Sequence, residues 1–479
     1  MSALTASGAP SGDAARSDGT ATRSAAGAAP ARLGPLDGAT VRGSEVSGVL
    51  ARPGTLRDPA TGAMASGGAA GGNPGQGGPV HDGVAGGEAG GGTVSPGAAH
   101  GARPGDGPGA GAVLPHDPVL PHDPALLTVR DFEDAARRAL DPVFFDYVSG
   151  GARDEVTLRA NEAGFARLGL LPRMLRGNEK RTLETRLLNS RASMPVLLSP
   201  TAFHRLMTPE GERATARAAA SAGTILITSM AATVAVTDVI AASRAAGGLD
   251  GPDVWFQLYP QPRWEVTRAL VDRATRAGAA ALVVTVDSPV LGASDRNDRN
   301  GFHDLPAGLH CENMRGLAGE PGVRSIGMSA ALSWADVARL RAETSLPVVV
   351  KGIVAPADAL LAIENGADAI MVSNHGGRQL DGVPATIALL PDVARAVAGR
   401  VPLLLDGGVR RGADVVKALA LGATAVGVGR PVMWGLAAGG EDGARRVLEI
   451  LRAELDHTLA LCGAASAAAV DPALVVSVP

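Results

Sequence analysis

Eight short apolar runs follow one another along the chain, with amphipathic stretches between them. Unbroken rather than alternating hydrophobicity is typical of parallel strands that are buried on both faces. Strands that alternate with helices favour a parallel sheet, and eight such units predict an α/β fold, the (β/α)8 TIM barrel. The runs occupy residues 194–202, 224–230, 254–259, 281–287, 346–353, 369–376, 401–408 and 425–431.

The chain before the barrel has a different composition. No Phe, Trp or Tyr precedes Phe132, and Gly, Ala, Pro and Ser predominate. Such a segment has too little apolar area to offset the entropy lost on ordering, so we predict a disordered extension over residues 1–125 and one barrel domain over residues 126–479. The sequence VLPHDP occurs at 113–118 and again at 119–124. Repeat slippage explains its histidines better than a metal site does, and we predict no metal.

Charge and cysteine usage narrow the class of function. The net charge of −4 offers no electrostatic case for nucleic-acid binding. The two cysteines, Cys311 and Cys462, lie far apart and lack the spacing of a metal site, as expected for a reducing compartment. No apolar stretch has the length of a membrane span, and the first residues lack the pattern of a signal peptide. We therefore predict a soluble, cytoplasmic protein that binds no membrane.

Polar residues collect at the ends of the apolar runs, whereas the run starts are bland. Functional side chains in a TIM barrel lie at the C-terminal ends of the strands, so this asymmetry favours an enzyme. The polar residues at these ends are Thr201, Ser229, Gln257, Tyr259, Thr285, Asp287, Lys351, Ser373, His375 and Asp406.

The last two units carry a pattern that is typical of phosphate binding. DGGVRRG follows the seventh run at 406–412, and GVGRP follows the eighth at 427–431. Glycine-rich turns at this position of a barrel leave backbone N–H groups free to bind an anion. Arg410 and Arg430 add candidate charge-assisted hydrogen bonds.

A candidate catalytic cluster lies in SNHGGRQLD, at 373–381. His375 and Arg378 follow the sixth run, which places a base beside a guanidinium that binds anions, with Asp287 as a candidate to orient the base. Lys occurs only at 180, 351 and 417, and Tyr only at 147 and 259. In a chain that otherwise prefers Arg, a retained Lys at a strand end indicates a specific need for an ammonium group.

Six motifs in this order resemble the FMN-dependent 2-hydroxy acid oxidase and dehydrogenase family, which includes glycolate oxidase, lactate oxidase and mandelate dehydrogenase. They are FDYVSGG, SPTAFHR, FQLY, TVDSP, SNHGGRQLD and DGGVRRG, and the resemblance runs from about Leu127 to the C-terminal helix. It implies a flavoprotein that oxidises a 2-hydroxy acid to the 2-oxo acid and passes the electrons to oxygen or another acceptor. It also implies a homo-oligomer, a tetramer.

The resemblance assigns roles residue by residue. His375 matches the catalytic base, Asp287 its carboxylate partner, and Lys351 the ammonium beside the flavin. Arg378 and Tyr147 match the site of the substrate carboxylate, and Tyr259 the tyrosine near the substrate hydroxyl. The implied contacts to FMN are Pro200, Thr201, Ala202, Ser229, Gln257, Thr285, Lys351, Ser373, Asp406, Gly407, Gly408, Arg410, Gly429 and Arg430.

Two positions depart from the family pattern. Ser294 stands where the family commonly has a second arginine for the substrate carboxylate, and Ala231 stands where the glycolate-specific branch has a bulky aromatic residue. Loss of one partner of a buried charge pair typically costs about 2–5 kcal/mol of binding. Three explanations are open: Arg296 or Arg299 replaces the missing contact, the substrate is larger or lacks a simple carboxylate, or catalysis has been lost.

Two further interpretations belong to other classes of function. One is a Schiff-base aldolase that uses Lys351, and the other is a flavin-binding scaffold without catalysis. The connection over residues 302–333 is the longest within the barrel and is interpreted as an active-site cover. It contains no long apolar insertion of the kind that membrane-bound mandelate dehydrogenases of the family carry there, so the resemblance again implies that the protein is not attached to a membrane.

Overall fold

The fold is taken from a computed structural model that describes residues 125–248, 251–317 and 326–478. The predicted disordered extension, including both copies of VLPHDP, lies outside these residues apart from Ala125. The strands are β1 (Leu168–Leu170), β2 (Thr185–Leu187), β3 (Ser190–Ala192), β4 (Val196–Leu198), β5 (Leu226–Ser229), β6 (Val254–Leu258), β7 (Leu282–Thr285), β8 (Val348–Ile353), β9 (Ala369–Val372), β10 (Leu403–Asp406), β11 (Ala425–Val428) and β12 (Val475–Ser477).

Helices surround these strands. They are α1 (Val129–Ala139), α2 (Pro142–Ser149), α3 (Val156–Ala166), α4 (Glu212–Ser221), α5 (Val236–Gly247), α6 (Trp264–Ala277), α7 (Asp295–Arg299), α8 (Trp334–Glu343), α9 (Pro356–Glu364), α10 (Thr386–Val397), α11 (Gly412–Ala420) and α12 (Arg430–Cys462). The last helix is kinked where Gly439 and Gly440 leave helical geometry. Among the described residues, none of the helices combines the length and apolar character that crossing a membrane requires.

Strands β4 to β11 form one closed, parallel barrel, and the pairing of β11 with β4 closes it. Each of the eight predicted runs contains one barrel strand, so the predicted (β/α)8 fold is confirmed. All residues of seven of these strands are buried, and in β8 only Gly352 is partly exposed. Burial on both faces explains why the runs are continuously apolar.

A small hairpin closes the N-terminal end of the barrel. Strands β2 and β3 pair antiparallel, and Leu187 and Ala192 pack with the side chains that fill the barrel interior. The indole Nε1 of Trp255, at the start of β6, donates a hydrogen bond of 2.9 Å to Ser190 Oγ in this hairpin. The opposite, C-terminal end is therefore the end left available for a ligand.

Trp255 provides a test of this packing. It is fully buried inside the barrel, so we expect Trp255→Ala to lower the free energy of unfolding by about 3–5 kcal/mol. Trp334→Ala, at the half-buried start of α8, is the matched control and should cost much less. Urea unfolding followed by circular dichroism measures both, and equal losses would contradict the packing described.

Residues 128–151 precede the barrel and contain two helices, α1 and α2. Helix α2 begins as a separate helix because Asp141 caps it and its first residue is Pro142, a residue well suited to that position. Helix α1 packs against α12, and Tyr147 of α2 reaches the C-terminal end of the barrel. The segment thus contributes to the functional end and not to the closed one.

Candidate active site

A cavity of about 530 Å³ opens at the C-terminal ends of the barrel strands. Among the residues predicted to act in catalysis or in ligand binding, only Asp287 and Ser373 are not part of its wall. Those two lie directly behind it, since Asp287 contacts His375 and Ser373 contacts Lys351. The structure therefore brings the predicted residues together in one place.

His375 and Asp287 form a hydrogen-bonded pair at the edge of this cavity. His375 Nδ1 lies 2.8 Å from Asp287 Oδ1. Burial alone raises the pKa of Asp287, but the charges of His375 and Lys351 and hydrogen bonds from His375 and Ser288 together bring it below its usual value. An ionised Asp287 accepts the hydrogen of Nδ1, so the lone pair of a neutral His375 ring lies on Nε2.

The backbone of His375 is in an uncommon conformation. Its φ of 58° lies in the left-handed region, and Gly376 and Gly377 follow with φ of 62° and 74°. The backbone N–H of His375 donates to Ser373 Oγ at 3.1 Å. Non-glycine residues in this region carry a strain that the surrounding structure must offset, and such residues cluster at functional sites.

Two tyrosines face the same cavity. Tyr259 Oη lies 3.5 Å from His375 Nε2, and the ring of Tyr147 lies 5.0 Å below the guanidinium carbon of Arg378. Burial raises the pKa of Tyr147 to about 12 and raises the pKa of Tyr259 further. Both hydroxyls are therefore protonated at neutral pH and can donate hydrogen bonds.

Lys351 lies between two carboxylates at the bottom of the cavity. Its Nζ donates to Ser373 Oγ at 2.9 Å and lies 3.9 Å from Asp287 Oδ2 and 3.7 Å from Asp406 Oδ2. Within the described residues, Asp287 Oδ2 and Asp406 Oδ1 are buried without a hydrogen-bond partner. Asp406 lines the cavity, so its free oxygen can accept from a bound ligand.

A chain of neutral polar side chains continues around the wall. Ser229 Oγ donates to Gln257 Oε1 at 2.9 Å, and Gln257 Nε2 donates to Thr285 Oγ1 at 3.1 Å. The three residues occupy the ends of the adjacent strands β5, β6 and β7. Such a chain offers both donors and acceptors to a flat, polar ring system.

Three guanidinium groups concentrate positive charge at one side of the cavity. Arg378 donates to the carbonyls of Tyr147 and Gly150, and Arg410 is paired with a carboxylate of α3, that of Glu162, at 2.9 Å. Burial, followed by the charges of Arg378 and Arg410, lowers the pKa of Arg430 to about 9. Positive charges that lower the pKa of Arg430 in this way favour a bound anion beside it.

Glycines keep the backbone exposed beside these arginines. Gly407 and Gly408 have φ of 96° and 91°, which residues with a side chain rarely adopt. A Cβ at Gly408 would also overlap the carbonyl oxygen of Asn161 on α3. Their bare backbone and the start of α12 form the side of the cavity where a phosphate fits.

Sequence reasoning missed two serines that support the charged groups. Ser199 Oγ donates to Asp406 Oδ2 at 3.2 Å, and Ser288 Oγ donates to Asp287 Oδ1 at 2.9 Å. Both occur inside quoted motifs, SPTAFHR and TVDSP. The available signal was their position at the polar end of an apolar stretch, Ser199 directly after strand β4 and Ser288 directly after the run 281–287.

The structure does not support a substitute arginine for position 294. Arg296 is paired with Asp146 at 3.1 Å and with Glu155 at 2.6 Å, and neither it nor Arg299 is part of the cavity wall. The side chain of Arg299 is 76% exposed. Ser294 itself lines the cavity and caps α7, where its Oγ accepts from the backbone N–H of Asn297.

The long connection predicted as a cover has two parts among its described residues. Phe302, His303, Ile326 and Met328 line the mouth of the cavity, as a cover requires. Residues 309–314 instead pack onto the barrel, where the backbone N–H of Glu312 donates to the carbonyl of Ala232. Residues 318–325 of this connection lie outside the described residues.

Comparison with known proteins gives this cavity a chemical class. Residues 136–477 match the family of FMN-dependent dehydrogenases, and the chain belongs to that family. It is 43% identical over 356 residues to a peroxisomal (S)-2-hydroxy-acid oxidase of Oryza sativa subsp. japonica, covering 71% of this chain and 93% of that protein. It is 44% identical over 353 residues to an L-lactate oxidase of Nostoc sp., covering 71% and 95%.

Solved structures give the same result. A mandelate oxidase with benzoyl-formic acid is 41% identical, with a TM-score of 0.66 over 72% of this chain and 97% of that one. An active chimera of (S)-mandelate dehydrogenase is 35% identical, with a TM-score of 0.69 over 74% and 100%. The chain is thus an FMN-dependent oxidoreductase, and the predicted family and cofactor are confirmed.

The residues around the cavity fit FMN. Bare glycine backbone beside Arg410 and Arg430 suits the phosphate, and the unpartnered Asp406 Oδ1 can accept from a ribityl hydroxyl. The hydrogen-bonded side chains of Ser229, Gln257 and Thr285 can form hydrogen bonds with the polar edge of the flavin ring.

Proposed function

We propose that this protein oxidises a 2-hydroxy acid larger than glycolate to the corresponding 2-oxo acid. The observation that carries the proposal is the pair of His375 and Asp287 on a cavity wall that also presents Arg378 and Tyr259. This combination places a base and an anion-binding group around one small space. The similarity to hydroxy-acid, lactate and mandelate oxidases supports it.

Each side chain around the cavity has a separate role in the proposed reaction. Arg378 and the hydroxyl of Tyr147 bind the substrate carboxylate, and Tyr259 binds the substrate hydroxyl. The substrate loses two electrons and two protons: His375 takes one proton at Nε2, and the second proton leaves with the electron pair to the two-electron acceptor. Asp287, 2.8 Å from Nδ1, then stabilises the imidazolium. FMN, when bound, would supply the two-electron acceptor, with oxygen or another acceptor as the final oxidant.

Lys351 and the phosphate-side arginines hold the cofactor in this proposal. The ammonium of Lys351 lies at the bottom of the cavity, where it can offset negative charge that develops on the flavin ring. Arg410 and Arg430 offset the phosphate charge. The aldolase interpretation of Lys351 has no support from the family to which the chain belongs, nor has the scaffold without catalysis.

Two features of the cavity support a larger substrate. Ala231 leaves space where an aromatic side chain would fill it, and the apolar side chains of Leu291, Phe302 and Met328 line the mouth. Without a second arginine, Arg378 alone binds the substrate carboxylate. Apolar contacts at the mouth can contribute the binding free energy that a second arginine would have supplied. Small acids such as glycolate have no group that reaches these contacts.

Ser294→Arg tests this account of substrate size. A second guanidinium at the cavity wall is expected to lower the KM for glycolate and lactate by about tenfold or more, because a buried charge pair contributes over 1.4 kcal/mol. The effect on an aryl acid such as mandelate should be smaller. Ser294→Ala, which removes the hydroxyl without adding charge, is the control. Equal changes for small and large acids would contradict the proposal.

A further inference from the structure

His204 is a buried, ionisable side chain that the proposed chemistry does not use. It follows the SPTAF motif on a short 3₁₀ turn, is 3% exposed, and is not part of the cavity wall. Its Nε2 lies 2.6 Å from Thr201 Oγ1, and its Nδ1 lies 2.7 Å from Thr215 Oγ1. Both ring nitrogens therefore have a hydroxyl partner.

The hydrogen bonds of His204 can be satisfied by a neutral ring. Burial lowers the pKa of His204 more than the carboxylate of Glu212 and the hydrogen bond with the Thr201 backbone raise it, so the ring is neutral and has one N–H and one lone pair. Thr215 Oγ1 also lies 3.4 Å from the carbonyl oxygen of Gly211 and can donate there. When Nδ1–H donates to Thr215, Nε2 can accept the hydrogen of the Thr201 hydroxyl. This arrangement leaves none of the three hydrogens unused.

The backbone of His204 is held by a buried carboxylate. The backbone N–H of His204 donates to Glu212 Oε1 at 3.1 Å, and the same carboxylate accepts from the backbone N–H and hydroxyl of Thr233. Glu212 is 1% exposed, so these hydrogen bonds are buried. Protein groups alone therefore hold the backbone of His204, and Thr201 and Thr215 contact its ring.

The hydrogen bond from Thr201 to His204 spans a strained turn. Between them, Phe203 has a φ of 66°, in the left-handed region. The Phe203 ring stacks on Tyr147 with 5.5 Å between ring centroids. Thr201, Ala202 and Phe203 all line the cavity. A fixed His204 thus determines where this part of the wall lies.

We propose that His204 is a positioning residue for the cofactor: its Nε2 accepts the hydrogen of the Thr201 hydroxyl and fixes residues 200–203 as one wall of the FMN site. The proposal rests on the cofactor site proposed above. It predicts that His204 affects FMN affinity only through Thr201.

The test is a double-mutant cycle on FMN binding by the apoprotein, followed by fluorescence quenching. His204→Phe and Thr201→Val should each weaken binding by about tenfold, equivalent to about 1.4 kcal/mol. The double variant should bind FMN no more weakly than His204→Phe alone, because each change removes the same hydrogen bond, the one between Thr201 and His204. His204→Gln, which can offer an amide oxygen to Thr201, should recover most of the affinity.

Thr228→Val is the matched control. Thr228 is 3% exposed on β5, is not part of the cavity wall, and has a hydroxyl with no hydrogen-bond partner among the described residues. It should leave FMN affinity unchanged. If the losses of FMN affinity in His204→Phe and Thr201→Val multiplied in the double variant, the proposal would be overturned. A His204→Phe variant that lowers the Tm of the apoprotein without changing its FMN affinity would overturn it as well.

The two possible failures are distinguishable. A wild-type apoprotein that binds no FMN would overturn the cofactor site and the role of His204 together. Wild-type binding with unaffected His204→Phe and Thr201→Val variants would overturn the role of His204 alone.

Discussion

His375→Gln is expected to slow the reduction of bound flavin by substrate by about 10²–10⁴-fold, the range that general base catalysis contributes. Glutamine has a similar size and can keep a hydrogen bond to Asp287, but it cannot accept a proton at neutral pH. FMN content should stay unchanged, because the Nε2 side of His375 faces the substrate space next to Tyr259. Anaerobic stopped-flow absorbance measures the rate directly.

His303→Gln is the control for this prediction. His303 also lines the cavity, but it lies at the mouth with a side chain that is 59% exposed. Its replacement should change the reduction rate by less than a factor of about ten, since an exposed side chain contributes little to positioning. If the substrate reduced the flavin equally fast in His375→Gln and His303→Gln, His375 would not be the base.

Arg378→Met is expected to lower kcat/KM by about 30-fold to several thousandfold, equivalent to about 2–5 kcal/mol. With Ser294 in place of a second arginine, Arg378 is the guanidinium proposed to bind the substrate carboxylate, so its loss leaves that charge without a partner. Most of the effect should appear in KM. Steady-state kinetics with mandelate and with lactate measure it.

The same variant needs a check on structure, because Arg378 Nη1 donates to the carbonyls of Tyr147 and Gly150. FMN content and Tm report whether α2 stays in place. Arg299→Met, at a side chain that is 76% exposed, is the matched control and should be neutral. An Arg378→Met variant that keeps its kcat/KM would show that the carboxylate is bound elsewhere.

The apolar runs were sufficient to predict the barrel because continuous burial leaves a clear pattern in the sequence. The site followed from the fold: once eight parallel strands close into a barrel, residues as distant in sequence as Ser229, Lys351 and Asp406 must meet at one end. Lys351 was identifiable because lysine is rare in this chain and this one lies at the end of an apolar run.

Other features could not be predicted because they depend on contacts between distant segments. The hairpin of β2 and β3 has strands of three residues each, too short for a detectable pattern. Its role in closing the barrel is visible only from its contacts with the barrel interior, such as the hydrogen bond from Trp255 to Ser190. Arg296 was a candidate for the substrate site until its pairing with Asp146 and Glu155 was visible. Location in the cytoplasm, assembly into a tetramer and the boundary near residue 125 stay predictions from the sequence.

Anaerobic titration of the purified protein with 2-hydroxy acids of increasing size, from glycolate through lactate to mandelate, measures whether these acids reduce the bound flavin. We expect the visible absorbance of the flavin to be bleached, with mandelate effective at lower concentration than glycolate. A flavin that is bound but is reduced by none of these acids would rule out the proposed oxidation of a 2-hydroxy acid.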